Sequence, residues 1–323
     1  MPDVTREPMP KGVVPMLAKP STNIPTGGDW AFEIKWDGVR CIAYIDGGRL
    51  RLESRNLNDI SAQYPELRPL GESLGALEVV LDGEIVAFDS EGRPSFQRLQ
   101  NRLGLKGTAV LRRSKEVPVV FVIFDLLYLD GHSTMPLSYR DRRTLLERLD
   151  LNGEAWRVPA FHDDGQALLA ATKERNLEGV IAKRMGSAYE PGRRSGSWLK
   201  VKNHLHQPFI VCGWNQRENA SGEAIGAIAL GYYEGAELLY AGRVGTGFTE
   251  ESANALLAQL QPFARASSPF ERTIPDPPGH YVEPHVVVDV EFLEWTGDGV
   301  LRHPVFKGVR TDHRANDVTR EGP

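Results

Sequence analysis

Cysteine is scarce in this chain. There are two in 323 residues, Cys41 and Cys212, far apart and each inside an apolar, strand-like run. That excludes a disulfide framework and a Cys-x-x-Cys zinc site, and it fits a reducing compartment. Long hydrophobic runs are missing too. The opening stretch MPDVTREPMPKGVVPMLAKP has no continuous apolar segment of the kind a secretory leader needs, and no run is long enough to span a bilayer. The expectation is a cytoplasmic protein without a membrane partner. Nor is there a surplus of positive charge, since 38 Lys and Arg face 43 Asp and Glu for a net charge of −5. Such a chain is no general polycation, so any grip on nucleic acid must come from basic residues gathered in a groove. Internal repeats are absent, and the Pro-rich loop TIPDPPGH is the one biased segment.

What remains is an ordinary globular composition, 41% hydrophobic and 25% charged, in a length that suits two domains. The first 205 residues or so alternate strand and helix signals. FEIKWDGVRCIAYID and RLRLESRN read as strands joined at Asp46-Gly47-Gly48, a hairpin signal. EVVLDGEIVAFD reads as a β-rich run broken at Asp82-Gly83, and VPVVFVIFDLLYLDG as a buried strand ending at Asp130-Gly131. Helical leucine spacing marks AQYPELRPLGESL, RDRRTLLERLD and GQALLAATKERN; the strands GVIAKR and SWLKVKN follow, separated by the basic loop MGSAYEPGRRSG. After about His206 the texture changes to short strands with glycine turns, interrupted after the third by the helix ESANALLAQLQPFA. That order suits an OB-type barrel, a common nucleic-acid-binding architecture.

The chemistry centres on FEIKWDGVR, residues 32–40. A lysine becomes a nucleophile only as the free amine, and burial or neighbouring cations lower its pKa toward that form. Lys-x-Asp-Gly-x-Arg offers an amine at a strand end, a glycine for close backbone approach and an arginine for phosphate or ribose. Read alone, its lesser alternative is a solvated strand end with a Lys-Asp pair. Further along stand Arg55 in ESRN, Glu84 in LDGEIVAFD, Phe124 in FDLLYLDG, Glu178 and Lys183 in EGVIAKR, and Lys200 and Lys202 in WLKVK. Two residues apart on a strand, Lys200 and Lys202 face the same side. Singly, each has a plain reading: a surface arginine, a wet strand face, a core phenylalanine, a surface ion pair.

Together, in this order and spacing, WAFEIKWDGVR, LDGEIVAFD, FDLLYLDG, EGVIAKR, YEPGRRSGSWLKVK and YAGRVGTGF resemble the ordered motifs of the covalent nucleotidyltransferases. They resemble ATP-dependent DNA ligases closely, above all the ligase module of bacterial ligase D of the end-joining pathway, and the likeness covers nearly the whole chain. It implies an α+β fold: a nucleotidyltransferase domain of antiparallel sheets flanked by helices over residues 1–205, then an OB-fold β-barrel domain over residues 206–323.

By that resemblance Lys35 attacks the α-phosphate of ATP, forming lysyl-AMP and releasing pyrophosphate. Arg40 and Arg55 hold ribose and phosphate oxygens, Phe124 stacks on adenine, and Glu33 with its neighbouring backbone reads the adenine amino edge. Glu84 and Glu178 contact ribose or a divalent metal, Mg²⁺ or Mn²⁺. Lys183, Lys200 and Lys202 neutralise the α-phosphate, and the same cations are expected to lower the pKa of Lys35 by like-charge repulsion. AMP then passes to the 5′-phosphate of a DNA nick and the 3′-hydroxyl displaces it. Arg193, Arg194, Lys202 and Arg243 grip DNA phosphates.

The stretch LRHPVFKGVRTDH, residues 301–313, looks like the family's last motif, from which Arg302 and Arg310 reach the pyrophosphate when the domains close about residues 203–207. The family usually has lysine where this chain has His313, which bears on pyrophosphate orientation, with Lys307 or Arg314 as substitutes. Too few residues precede Lys35 for the helical DNA-clamping domain of larger ligases, so the expectation is a minimal core. It would act as a nucleoid-associated monomer on nicked double-stranded DNA, with a Ku-type end-binding protein or a polymerase as partner. The competing readings are an RNA ligase, a GTP-dependent capping-type nucleotidyltransferase, and a non-catalytic nucleic-acid-binding module.

Overall fold

The computed structural model describes residues 6–203, 205–217 and 224–321. The chain falls into two compact units that part between Asn203 and His204. Among the described residues, no helix is long and apolar enough to cross a membrane.

Two sheets make the first unit. One has four strands, in the order Lys19–Pro20, Trp198–Lys202, Gly179–Arg184, Trp30–Ile34. Side chains alternate across a strand, and here the alternation separates two chemistries. Trp30, Phe32, Val180, Ala182 and Val201 lie in one apolar cluster with Ile24 and with Leu168 of the helix Gly165–Glu174. That helix is capped by Asp164, whose side chain accepts from the Ala167 N–H at 2.9 Å. The opposite face carries Glu33, Lys183, Lys200 and Lys202. The register sets Glu33 opposite Ile181, and Ile181 opposite Lys200.

The second sheet has six strands. Its main path runs Arg49–Ser54, Val39–Asp46, Val79–Ala87, Val119–Leu129, His132–Ser133, and Trp156–Arg157 pairs in parallel with Val119–Leu129. One face (Cys41, Ala43, Val79, Leu81, Ile85, Phe121, Ile123) packs beneath Leu70 and Leu74 of the helix Arg68–Leu74 and Phe96 and Leu99 of the helix Phe96–Gln100. The other face brings Ile42, Tyr44, Val80 and Phe124 against Trp198 of the four-stranded sheet. The two sheets therefore meet over a shared aromatic cluster, with Phe124 and Trp198 edge to face at 6.4 Å.

Three sequence expectations need correction. FEIKWDGVRCIAYID is two strands, Trp30–Ile34 and Val39–Asp46, and they belong to different sheets. The break at Lys35–Gly38 is steric: a Cβ on Gly38 would stand 2.2 Å from the Ile85 carbonyl oxygen, so only glycine lets the chain cross there. In contrast, Asp82-Gly83 does not break its strand. Val79–Ala87 runs through, with a register irregularity against Val119–Leu129, because Gly83 is pressed against Phe121 and Val122. Within AQYPELRPLGESL only Arg68–Leu74 is α-helical. Ser61–Gln63 and Pro65–Leu67 are 3₁₀ turns, which Pro65 favours by fixing φ at a turn start.

The second unit is an OB-type barrel. Leu205–Gln216, Ile225–Glu234 and Glu237–Val244 form an antiparallel meander, and Val287–Phe292 pairs with the first of them. The helix Glu250–Leu260 enters after the third strand, fixed by a capping box between Thr249 and Ser252. A further strand, Val305–Val309, pairs with Val287–Phe292, so part of the last motif is barrel wall and not tail. Cys41 and Cys212 are both buried free thiols.

Candidate active site

Lys35 stands at the seam between the two sheets. Its backbone N–H donates to the Gly179 carbonyl at 2.9 Å, which extends the ladder of the four-stranded sheet by one residue. Three residues later Gly38 lies against Ile85 of the other sheet. The Lys35 side chain, 21% exposed, is ion-paired through Nζ to Glu178 Oε2. Lys202 Nζ lies 3.7 Å from the other oxygen of the same carboxylate. Burial alone would pull the pKa of Lys35 down, but Glu178, and after it Glu84 and Asp37, outweigh burial and hold it above the ordinary lysine value. This corrects the expectation that neighbouring cations lower it. In the structure carboxylates surround the amine, and Lys35 rests as an ammonium ion.

The polar face of the four-stranded sheet holds a second cluster. Glu33, 2% exposed, accepts from the Tyr139 hydroxyl and pairs with Lys183 Nζ at 2.8 Å. Lys183 also donates to the Phe124 carbonyl at 3.1 Å and lies 4.5 Å from the ring centroids of both Phe124 and Trp198. Burial draws Lys183 below the ordinary lysine value in spite of Glu33 and Asp125. Glu178 and Lys183, five residues apart, thus answer to different partners.

Arg40 is committed elsewhere than a ligand. Its Nε and Nη2 reach the two oxygens of Asp82 at 2.5 and 2.6 Å, a bidentate pair that holds its proton more firmly than usual. The Tyr189 hydroxyl donates to the same carboxylate at 2.6 Å, and the guanidinium lies over the Phe124 ring at 4.6 Å. Phe124 is therefore packed between Arg40, Lys183 and Trp198 and is 7% exposed. Behind it, Asp125 receives Arg142 at 2.7 and 3.0 Å, and Arg142 also donates to the carbonyls of Leu137 and Ser187. Both side chains are fully buried, so this pair ties the Phe124 strand to the loop after Arg184.

Of the other residues marked in the sequence, Glu84 sits directly across the ladder from Arg40 and contributes to the field on Lys35. Lys200 shares the polar face with Lys202, and Arg55 follows the strand Arg49–Ser54, partly exposed. The basic loop is ordered by the chain's start: Leu17 N–H donates to the Arg193 carbonyl, and Arg194 donates to the Ala18 carbonyl at 3.2 Å. In the barrel, Arg243 pairs with Asp276 at 2.6 Å, Arg302 with Glu294 at 2.6 Å, and Arg310 with Asp312 at 2.7 Å. His313 lies 3.7 Å from Asp312, whose carboxyl Arg310 and His313 hold below the usual range against the effect of burial.

The sequence reading missed Asp82, Asp125, Tyr139, Arg142 and Tyr189. Asp82, Asp125 and Tyr189 lie inside motifs quoted above and Arg142 inside a quoted helical segment, but nothing local marks a tyrosine as the partner of a carboxylate more than a hundred positions away. Among the described residues no three His, Cys, Asp or Glu side chains gather as a metal-holding group. Glu84 and Glu178 both bear on Lys35, and two carboxylates are of the donor type that would suit a divalent cation sharing its remaining positions with water and substrate phosphates.

The family profile of the ATP dependent DNA ligase domain matches residues 15–202, and that of the ATP dependent DNA ligase C terminal region matches residues 221–313. The chain belongs to the ATP-dependent DNA ligases. This ligase is 40% identical over 314 residues to the multifunctional non-homologous end joining DNA repair protein LigD of Mycobacterium tuberculosis, an alignment taking in 96% of this chain and 40% of that protein. It is 37% identical over 331 residues to LigD of Pseudomonas aeruginosa, covering 98% of this chain and 38% of that one. The ligase thus spans about two fifths of the length of these relatives. Among solved structures, mycobacterial DNA ligase D complexed with ATP and MES matches with a TM-score of 0.70 and 40% identity, over 96% of this chain and 98% of that one. A nucleotidyltransferase domain followed by an OB domain is the architecture that this ligase shares with that structure.

Proposed function

We propose that this ligase carries AMP on Lys35 and uses it to seal nicks in double-stranded DNA, in the service of end joining. The observation that carries the reading is the seating of Lys35 at the seam of two sheets, with Glu178, Glu84 and Lys202 drawn around it from both and Lys200 on the same strand face as Lys202.

The resting ion pair between Lys35 and Glu178 must open before the amine acts. Moving Glu178 away removes the largest of the charges that oppose burial, and burial favours the neutral amine. Once its ammonium proton has passed to solvent, the neutral Lys35 Nζ attacks the α-phosphorus of ATP and releases a second proton to solvent. A P–N bond forms, the P–O bond to the β-phosphate breaks, and pyrophosphate leaves. Lys200 and Lys202, side by side on one face, meet the charge that builds on the α-phosphate. Mg²⁺ or Mn²⁺, held by Glu84 and Glu178, would add charge neutralisation at the same phosphate.

Adenine stacks on Phe124, which requires Arg40 or Lys183 to draw back from the ring, and is read by Glu33 and its neighbouring backbone. Arg40 and Arg55 serve ribose and phosphate, and for Arg40 this means sharing its guanidinium with Asp82. In the second step the nick's 5′-phosphate takes AMP from Lys35, breaking the P–N bond. In the third the 3′-hydroxyl attacks that phosphate, and AMP departs. Arg193, Arg194, Lys202 and Arg243 supply phosphate contacts to DNA. Arg302 and Arg310, which orient pyrophosphate, first leave Glu294 and Asp312. The end-joining names of the LigD relatives support the same process here, with a monomer working beside a Ku-type protein or a polymerase.

Incubation with α-labelled ATP and, separately, α-labelled GTP, each with Mg²⁺, tests the reading on a denaturing gel. Label from ATP retained by the protein and lost in Lys35→Ala is expected. Label from GTP would move the chain to a capping-type enzyme. No label from either, in protein shown free of pre-bound AMP, would leave only a nucleic-acid-binding module.

A further inference from the structure

We infer that Arg157 is a phosphate-binding residue at the rim of the lysine site, held ready by an aromatic shelf of Trp36 and Phe88. The inference rests on the ligase reading above. The register places it: Arg40 lies opposite Glu84, Glu84 opposite Val122, and Val122 opposite Arg157. Residues paired across a ladder share a face, so Arg157 ends the row that begins with Arg40 and Glu84. Phe88, four residues beyond Glu84, returns to that same face. Trp36 follows Lys35 directly and meets Phe88 edge to face at 6.3 Å.

The Arg157 guanidinium lies 5.6 Å from the Trp36 ring centroid and 5.1 Å from that of Phe88, within cation–π range of both. The side chain is nonetheless exposed, and among the described residues no carboxylate pairs with it. The other arginine of the row, Arg40, shares its guanidinium with Asp82 through two hydrogen bonds, whereas among the described residues that of Arg157 has no such partner. The Trp36 indole N–H adds to this, since it is buried without an acceptor. A flat cation fixed on two rings, with its N–H fork uncommitted, suits a bidentate phosphate contact and loses little side-chain freedom on binding. A solubilising surface arginine has no need of the shelf.

Two phosphates reach a lysine site of this kind, the triphosphate of ATP and the backbone of the nicked strand, and the experiment separates them. Wild type, Arg157→Ala and Arg157→Lys are compared for the ATP concentration that half-saturates lysyl-AMP formation, and for affinity of the adenylylated protein for a nicked duplex across a salt series. A shift of about tenfold in the first for Arg157→Ala assigns the residue to ATP; about tenfold in the second, with the salt slope reduced by about one, assigns it to DNA. Arg157→Lys keeps the charge without the flat fork, guards against a folding defect, and is expected between the two. Arg157→Ala matching wild type in both readouts would overturn the inference and leave the ligase reading intact. Wild type that takes no label from ATP would overturn the ligase reading, and the inference with it.

Discussion

Lys35 and Glu178 form an ion pair across the end of the four-stranded sheet, Lys35 one residue past its strand and Glu178 one residue before the neighbouring one. The pair joins the nucleophile to the carboxylate proposed for ribose or metal, so the two groups cannot both be engaged with substrate and with each other.

Glu178→Gln should shift the pH dependence of this ligase toward acid. The folded pKa of Lys35 is raised, so its proton stabilises the fold below the ordinary lysine value of about 10.4 and is lost as pH rises through the higher folded value. Without Glu178 the largest opposition to burial is gone, and the folded pKa of Lys35 falls. The alkaline limb of thermal unfolding should move to lower pH, and label uptake from ATP should reach its plateau, however reduced, at lower pH. Unshifted profiles would mean that Glu178 does not hold the proton.

Gly38→Ala should damage both fold and chemistry. Its Cβ would stand 2.2 Å from a backbone oxygen, which no rotamer relieves, and overpacking of this kind costs about 1–3 kcal/mol or more. Gly196→Ala, with nothing within 4 Å, is the control. Equal melting temperatures for the two variants would contradict the steric account of the sheet-to-sheet crossing.

Asp82→Ala should be among the most destabilising single changes in the first unit, by about 3–5 kcal/mol in urea unfolding, because it strands the Arg40 guanidinium and the Tyr189 hydroxyl together. Asp130→Ala, which breaks the exposed pair with Arg6, should cost under about 1 kcal/mol. A small effect at Asp82 would show that Arg40 finds other acceptors.

Tyr139→Phe removes one hydroxyl and leaves the buried Glu33 with Lys183 as its cationic partner. The expected loss is about 1–3 kcal/mol, the range for a buried acceptor deprived of a donor. If adenine recognition runs through Glu33, discrimination of ATP from GTP in the labelling assay should weaken as well. Unchanged stability together with unchanged discrimination would remove Tyr139 from the site.

The sequence exposed the site's cations and carboxylates because each stands at a strand end or in a strand with polar neighbours, where alternation and turns are legible. It showed the barrel's strands and the helix Glu250–Leu260 for the same reason. The partners were not legible. Tyr139 and Tyr189 meet Glu33 and Asp82 at separations of 106 and 107 residues, and no local pattern encodes a contact made by folding two sheets together. The direction of the Lys35 shift was misjudged because counting cations along the chain ignores how closely Glu178, Glu84 and Asp37 approach the amine. The strand FEIKWDGVRCIAYID looked continuous because β-forming residues flank the turn on both sides, and only the close approach of Gly38 to Ile85 shows where it divides.

The crossing at Lys35–Gly38 makes the amine a gauge of the gap between layers. One end of this four-residue bridge is hydrogen-bonded into one sheet and the other end abuts the second, while Phe124 and Trp198 act as spacers between them. Trimming a spacer lets the layers approach, and the nucleophile travels with its abutments. Volume changes at Trp198, which touches no part of ATP in the proposed reaction, should therefore register in kcat as well as in Tm.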